Sequence, residues 1–423
     1  MRNNQTWELL ECGLILSLMI FVYCGDLAPV TFHPDESQWI ANSSIFEAFV
    51  HGNNKSPGWK ESYWALINPP LPPYIIGLGR IIGGLGISDL NDPWDFGKDY
   101  KTNIEQGRMP SDELLWWSRL PMGILAVTSI FAGFILLKIL AGRIPAYIWI
   151  GLCTYSSYFQ LMLKRAMSES PLLASIMLIL LITYKLLLDS DNKEIRNPGI
   201  LYIYSIILGV GSGLAGSSKL NGLSTLACGI TIAIIVAFRK IQTTTLKIRF
   251  CMLAILIVIL SSQFTFIFLN QYLWPDPLVR FGTLINQRAA IMRAQQADYP
   301  NSRIEGFNQR LQVVPVRVFQ SYAAIRFDGS QYFNFIFFLI GISYILIRSL
   351  QYIKRLNNNP ASMAILIVSA FSSLPPIFTP LDWDRYYLLP VTFSTIFIAV
   401  GIWWTLSFGY GLIFNKQIPP CQH

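Results

Sequence analysis

The chain has 423 residues, of which 53% are hydrophobic and only 13% charged, with a formal net charge of +8. A soluble domain carries about a quarter charged residues and single cores stop growing well below this length, which excludes an ordinary soluble enzyme. The Lys and Arg sit mainly between apolar runs rather than on one basic face, which argues against nucleic acid as a partner.

The apolar runs approach the ~20 residues that span a hydrocarbon core, and in chain order they predict ten helices. These lie at about 12–31, 117–138, 145–163, 170–188, 199–217, 222–238, 250–270, 332–347, 361–379 and 386–412. The first has a single early Arg, as a signal peptide would, but it ends in Asp26 and Pro29 without a small-residue cleavage site. A retained span is therefore expected. Residues 66–87 are also apolar, yet Pro69, Pro70, Pro72 and Pro73 crowd one end and Gly83, Gly84 and Gly86 the other. Only nine residues separate Pro73 from Gly83, too few for the ~30 Å hydrocarbon core at about 1.5 Å per residue. Tyr74, Leu78, Ile81 and Leu85 keep helical spacing, which predicts a helix lying at the membrane surface.

Basic residues then set orientation. Lys138 and Arg143, Lys193 and Arg196, Arg239 to Arg249, and Arg348 to Arg355 fall in alternate short loops, which the positive-inside bias assigns to the cytoplasm. Both termini face inward on this reading. Loops 32–116 and 271–331, with links 164–169, 218–221 and 380–385, share the non-cytoplasmic side. The expected architecture is one polytopic all-α membrane domain over 1–423, with interfacial helices and an acidic pair in 32–116 and an Arg-rich loop at 271–331.

Five segments could carry chemistry there. In His33-Pro34-Asp35-Glu36, two carboxylates open a helix expected over Ser37 to Val50. Asp35 can serve as its cap, as a general base, or as both. Loop 271–331 holds Arg280, Arg288, Arg293, Arg303, Arg310, Arg317 and Arg326 but no lysine. The rigid fork of Arg binds phosphate oxygens in pairs, so a phosphate-bearing substrate or an anionic lipid headgroup would explain the bias. Asp382 to Tyr387 lies at the mouth of the last span, where an aromatic belt with snorkelling charge is the plainer explanation. Lys164 to Glu169 reads equally as a helix-end ion pair, and Ser217 to Gly222 places Lys219 in a tight turn. The six cysteines and His33, His51 and His423 show no metal-ligand spacing.

Taken in order, Asp35-Glu36, Asn68-Pro69-Pro70-Leu71, Arg119-Leu120-Pro121, Arg165 to Glu169, Ser218 to Leu223 and Arg385 to Pro390 resemble the motifs of polytopic glycosyltransferases of the GT-C fold. The set is similar to the protein O-mannosyltransferases of glycosyltransferase family 39 and to the lipid A aminoarabinose transferases, and it covers residues 35 to 390. The resemblance implies sugar transfer, with inversion, from a polyprenyl-phosphate donor to a hydroxyl of a protein, lipid or polysaccharide acceptor, beside membrane lipid. It implies Asp35 as base with Glu36 beside it. Arg385, Tyr386, Lys219, Arg280 and Arg288 would hold the donor phosphate, and Asn68, Arg165, Glu169 and Asp384 would support the substrates. No cofactor is required, although Glu36 and Glu169 leave room for a divalent metal. The expected location is a bacterial inner membrane or its equivalent. This sequence departs from the family in having neutral Asn68 where Lys or His is frequent, and Glu169 where Asp is frequent. Loop 271–331 is also too short for the soluble insert of the eukaryotic mannosyltransferases. The competing reading is a transporter or flippase, which would place ionisable groups near the bilayer midplane, whereas here they cluster at span ends.

Overall fold

A computed structural model describes residues 2–55, 59, 67–191, 198–240 and 244–414. Within them every regular element is helical, apart from a single antiparallel bridge between Arg303 and Leu381. In chain order the helices are α1 (Arg2–Ile20), α2 (Pro34–Ala41), α3 (Ile45–Val50), α4 (Leu71–Ile82), α5 (Tyr100–Glu105) and α6 (Asp112–Ala141). There follow α7 (Arg143–Tyr155), α8 (Ser157–Lys164), α9 (Glu169–Asp191), α10 (Pro198–Ser218), α11 (Thr225–Lys240) and α12 (Thr244–Leu269). The series closes with α13 (Pro277–Asp298), α14 (Gly306–Val316), α15 (Ser330–Ile353), α16 (Ala361–Ser372), α17 (Pro375–Phe378) and α18 (Leu388–Phe414).

Nine helices among the described residues are long and apolar enough to cross a membrane. The tenth expected span, at 145–163, is present as two helices, α7 and α8, interrupted at Ser156. Together they make a crossing. α6 begins beside the start of α2, and Ala166 returns to bond the Glu36 carboxylate there, so residues 143–164 must retrace the length of α6. A break inside a bilayer leaves backbone groups that need new partners. Here the Tyr23 hydroxyl donates to the Cys153 carbonyl at 2.7 Å, and Gln160 Nε2 donates to the Thr154 carbonyl at 2.7 Å. The first span lies nearer the N-terminus than expected, running from Gln5 to Gly25. It stops early because the carbonyls of Leu27 and Val30 turn inward to Arg119.

Close approaches between spans use small residues, as hydrocarbon offers no hydrophobic drive. On α15 and α18, a Cβ added at Gly341 would fall 1.8 Å from the Phe397 carbonyl oxygen. The segment at 66–87 does not span. α4 has 12 residues, about 18 Å of helix. It turns Ile76 and Arg80 inward and leaves Leu78, Ile81 and Ile82 exposed. Gly79 lets it lie against α6, since a Cβ there would meet the Trp117 carbonyl at 2.4 Å. Arg80 is fully buried, bonded to the Leu85 carbonyl at 2.9 Å and ion-paired with Glu47.

The helix expected from Ser37 to Val50 is divided by a 3-10 turn at Asn42–Ser44. Loop 271–331 is built from α13 and α14 and is fastened to the segment before α18. The Ile304 amide donates to Pro380, and the Asp382 amide to Ser302 at 2.7 Å. Arg317 forms a multiply bonded ion pair with Asp382, whose Oδ1 also accepts from the Tyr387 hydroxyl at 2.9 Å. At the opposite end of the bundle, Arg239 reaches Asp191 and the Tyr352 carbonyl. The expected basic loops meet there, except Lys193 and Arg196, which lie outside the described residues.

Candidate active site

The site grows from the first turn of α2. Pro34 occupies the first helical position, where its missing N–H costs nothing. The cap is His33, in place of the expected Asp35: its Nδ1 accepts from the Asp35 amide at 3.1 Å, while the His33 amide donates to Glu36 Oε2 at 3.1 Å. This reciprocal box satisfies the helix end and releases the Asp35 carboxylate from capping. Burial, aided by the positive charges of Arg165 and Arg385, pushes the His33 imidazole down to about 3, and neutral Nδ1 is what the bond to the Asp35 amide requires.

That depression has a consequence for stability. The folded state holds His33 neutral while the unfolded chain takes up a proton near pH 6.5, so stability is complete above that value and declines as pH falls towards 3. Thermal unfolding should therefore show a loss between pH 6.5 and 5. The loss should shrink in His33→Asn, which retains a capping acceptor without a titratable group. An unchanged pH slope in that variant would contradict this account.

Glu36, the partner of Asp35 in sequence, is not its partner in space. The helix turns the two carboxylates apart, and Glu36 is completely buried. Arg119 donates to it twice, Nε at 2.8 Å and Nη2 at 2.7 Å, and the Ala166 amide adds a third bond at 2.9 Å. Arg119 is equally buried and also donates to Leu27 at 2.7 Å and Val30 at 3.0 Å. Glu36, expected beside Asp35 in the chemistry, lies away from the cleft: its oxygens are occupied, and it binds together the end of the first span, α2, α6 and the link before α9.

Asp35 instead faces a cleft of about 890 Å³ at this end of the bundle. His33, Asn68, Lys219, Asp384, Arg385 and Tyr386 line it together with Arg288 from α13. Asp35 is ion-paired with Arg385, whose guanidinium lies over the Trp383 ring at 4.6 Å. Lys219 is held by Glu169 Oε1 at 2.9 Å and sits 5.0 Å above the Tyr386 ring. Glu169 is buried, and its second oxygen, Oε2, has no hydrogen-bond partner. Asp384 accepts from the Arg385 amide at 2.7 Å. Burial raises the Asp384 carboxyl above its ordinary range; that bond, Arg165 and Lys219 pull it down, while Glu169 adds to the rise. Arg165 lies beneath the cleft wall, buried, with Nε donating to Thr31 at 3.2 Å. Burial lowers its affinity for its proton, and Glu36, Asp384 and Glu169 offset this.

The arginines of loop 271–331 separate sharply. Arg280, expected on the donor phosphate, bonds the Tyr272 carbonyl at 2.7 Å and stacks on that ring, away from the residues that line the cleft. Arg317 is committed to Asp382, and Arg303 to Glu305 at 3.4 Å. Arg288 alone among the seven lines the cleft, and no hydrogen bond or ion pair within the described residues engages it. Sequence reasoning missed the cap role of His33, the Arg317–Asp382 fastening and the wall of Trp383, Tyr386 and Tyr299. Trp383 stacks on Tyr386 at 5.8 Å and meets Tyr299 edge-on at 6.1 Å. No cluster of three or more His, Cys, Asp or Glu side chains suited to a metal occurs among the described residues. The free Glu169 oxygen does not by itself make a ligand set.

Comparisons with known proteins agree with this architecture. The apo structure of ArnT from Cupriavidus metallidurans superimposes with a TM-score of 0.52 at 12% identity, over 98% of this chain and 64% of that one. AglB, an oligosaccharyltransferase from Archaeoglobus fulgidus solved with an inhibitory peptide and a dolichol-phosphate, matches with a TM-score of 0.48 at 13% identity, over 99% and 53%. The chain thus spans about half to two thirds of the length of these structures. No curated protein matches it in sequence. Residues 39–281 match the family model described as dolichyl-phosphate-mannose-protein mannosyltransferase. With more than half its length matched to that model, on an all-α polytopic GT-C fold, the chain belongs to this glycosyltransferase family.

Proposed function

We propose that this protein transfers a sugar from a polyprenyl-phosphate donor to an acceptor hydroxyl in the cleft beside Asp35, with inversion at the anomeric carbon. The observation that carries the reading is the meeting of Asp35 with Arg385, Lys219 and unpaired Arg288 in one cleft at the end of a membrane bundle. A carboxylate can take the acceptor proton, and fixed cations can stabilise the phosphate that leaves. The match of residues 39–281 to the dolichyl-phosphate-mannose-protein mannosyltransferase model supports a lipid-phosphate donor. The basic loops at the far end of the bundle support a cleft on the non-cytoplasmic face.

The pairing of Asp35 with Arg385 gives the cycle an order. In the described state, Arg385 occupies the carboxylate that has to accept the proton. A donor phosphate entering near Arg288 offers Arg385 a second anion, and its withdrawal leaves Asp35 available to the acceptor. Arg288 therefore meets the donor first, Arg385 follows, and Lys219 adds positive charge from its seat on Glu169. Asp384 and Asn68 remain as polar contacts for substrate hydroxyls. No step is assigned to a metal.

In vesicles supplied with polyprenyl-phosphate sugars, the purified protein should consume one of them and release polyprenyl phosphate. Arg288→Gln should raise the apparent KM for that donor about tenfold or more, the cost of a lost charge-assisted bond, with a smaller change in kcat. Arg385→Gln should lower kcat as well, because it touches both donor and base. Identical donor dependence in both variants would overturn the phosphate role. Transport of the intact lipid-linked sugar without transfer would favour a flippase.

A further inference from the structure

A second cavity lies at the opposite end of the bundle, away from every residue of the cleft. It measures about 1280 Å³ and is bounded by the end of α6, the start of α7, α9, α15, the turn before α16, and α18. Four cations line it, Lys138, Arg143, Arg348 and Arg355, and no carboxylate does among the described residues. Glu11 of α1 answers two of them, Lys138 at 2.8 Å and Arg143 at 3.4 Å. Arg348 and Arg355 have no acidic partner there. Among the described residues Arg348 makes one hydrogen bond, to Gln351 at 3.4 Å, and its Nε is buried without an acceptor. Arg355 donates to the Arg239 carbonyl at 3.2 Å and adopts a positive φ of 59°, a conformation uncommon outside glycine.

Asn357 strengthens the case. It is only 8% exposed, yet its Nδ2 donor has no partner while its Oδ1 accepts from the Asn359 amide at 3.1 Å. A buried N–H left unmatched is costly, and here two such donors, on Arg348 and Asn357, line one cavity with two uncompensated guanidinium groups. What they lack is an acceptor with several oxygens and negative charge. Much of the remaining wall is apolar and aromatic, with Asn358, Asn359 and Ser407 among it. Trp403 packs edge-on against Tyr344 at 5.6 Å, Trp404 stacks on Phe408 at 5.4 Å, and Trp404, Phe408 and Ile144 are exposed at the rim. Such rings mark the headgroup level of a bilayer, and the cavity is far larger than one phosphate requires.

We propose that this cavity is a binding site for an anionic phospholipid. The phosphodiester accepts from Arg348, Arg355 and Asn357, and the acyl chains leave along the Trp403–Trp404 face of α18. Basic pockets between membrane helices recognise acidic headgroups through this combination of charge and apolar seat. The ligand differs from the donor in both location and leaflet, so the site stands whether or not the sugar-transfer reading does.

The test is native mass spectrometry of the full chain released from nanodiscs of phosphatidylcholine containing a minor fraction of phosphatidylglycerol. One phosphatidylglycerol should remain bound at activation energies that strip phosphatidylcholine. Its retention should fall about tenfold to thirtyfold in Arg348→Gln/Arg355→Gln and measurably in Asn357→Ala. A second measurement needs no variant: phosphatidylglycerol should raise the unfolding temperature of the unaltered protein, and phosphatidylcholine should not. Equal retention of both lipids, or retention unaltered by the substitutions, would overturn the proposal. So would equal stabilisation by excess inorganic phosphate, which would identify a soluble-anion site in place of a lipid site.

Discussion

Asp35→Asn is expected to leave the protein folded and to reduce sugar transfer by about 10²- to 10⁴-fold, the usual contribution of a general base. The carboxylate faces the cleft, and its helix is capped by His33 and anchored by Glu36, neither of which the substitution touches. Asparagine can still accept from Arg385, so the local geometry and the unfolding temperature should change little. Transfer in vesicles, read alongside thermal unfolding, separates the two effects. Full turnover by Asp35→Asn would remove the proposed base and point instead to Asp384, Asp382 or Asp298, which also line the cleft.

The neighbouring position should behave in the opposite way. Glu36→Ala leaves Arg119 with a buried charge and no counter-ion, a loss that typically costs about 3–5 kcal/mol. Both side chains are 0% exposed, so solvent offers little relief. The expected result is a collapse of expression or a marked drop in unfolding temperature. Glu36→Gln should be intermediate, since the amide keeps one acceptor for Arg119 but loses the charge. A Glu36→Ala protein that is as stable as the parent yet inactive would place Glu36 in the reaction and reverse the assignment made from its contacts.

The contrast between these two residues shows where the sequence was legible. The apolar spans and the shortness of α4 follow from run length, proline and glycine, because the bilayer imposes a length that short segments cannot meet. The acidic pair stood out in the sequence as two adjacent carboxylates opening a helix just after a span. Their division of labour was not visible. It depends on Arg119 and Ala166, which lie far along the chain and reach Glu36 only through the packing of α6 and the return of α8. The capping residue was misread because histidine is rarely weighed as an acceptor at a helix start, and only its burial makes it one. In the Arg-rich loop, the composition was correct about cations but silent on which were spent. Arg317 and Arg280 are satisfied by Asp382 and Tyr272, and local sequence does not distinguish them from Arg288. The interruption at Ser156 escaped notice because the residues of α7 and α8 are uniformly apolar enough to read as one helix.

The ion pair between Asp35 and Arg385 joins a residue just beyond the first crossing to one just before the last. During synthesis the chain enters the membrane from its N-terminal end, so the carboxylate is laid down long before its partner is made. Glu36 can be secured once the link before α9 has emerged, which would hold the first half as a preformed shell with Asp35 still uncovered. Only the arrival of the final segment supplies Arg385, together with the aromatic wall of Trp383 and Tyr386. A nascent chain not yet extended to Arg385 would therefore hold the Glu36–Arg119 scaffold while Asp35 still lacked its ion-pair partner. On the proposed reading, the two halves of the centre meet only when the segment before α18 packs against α2.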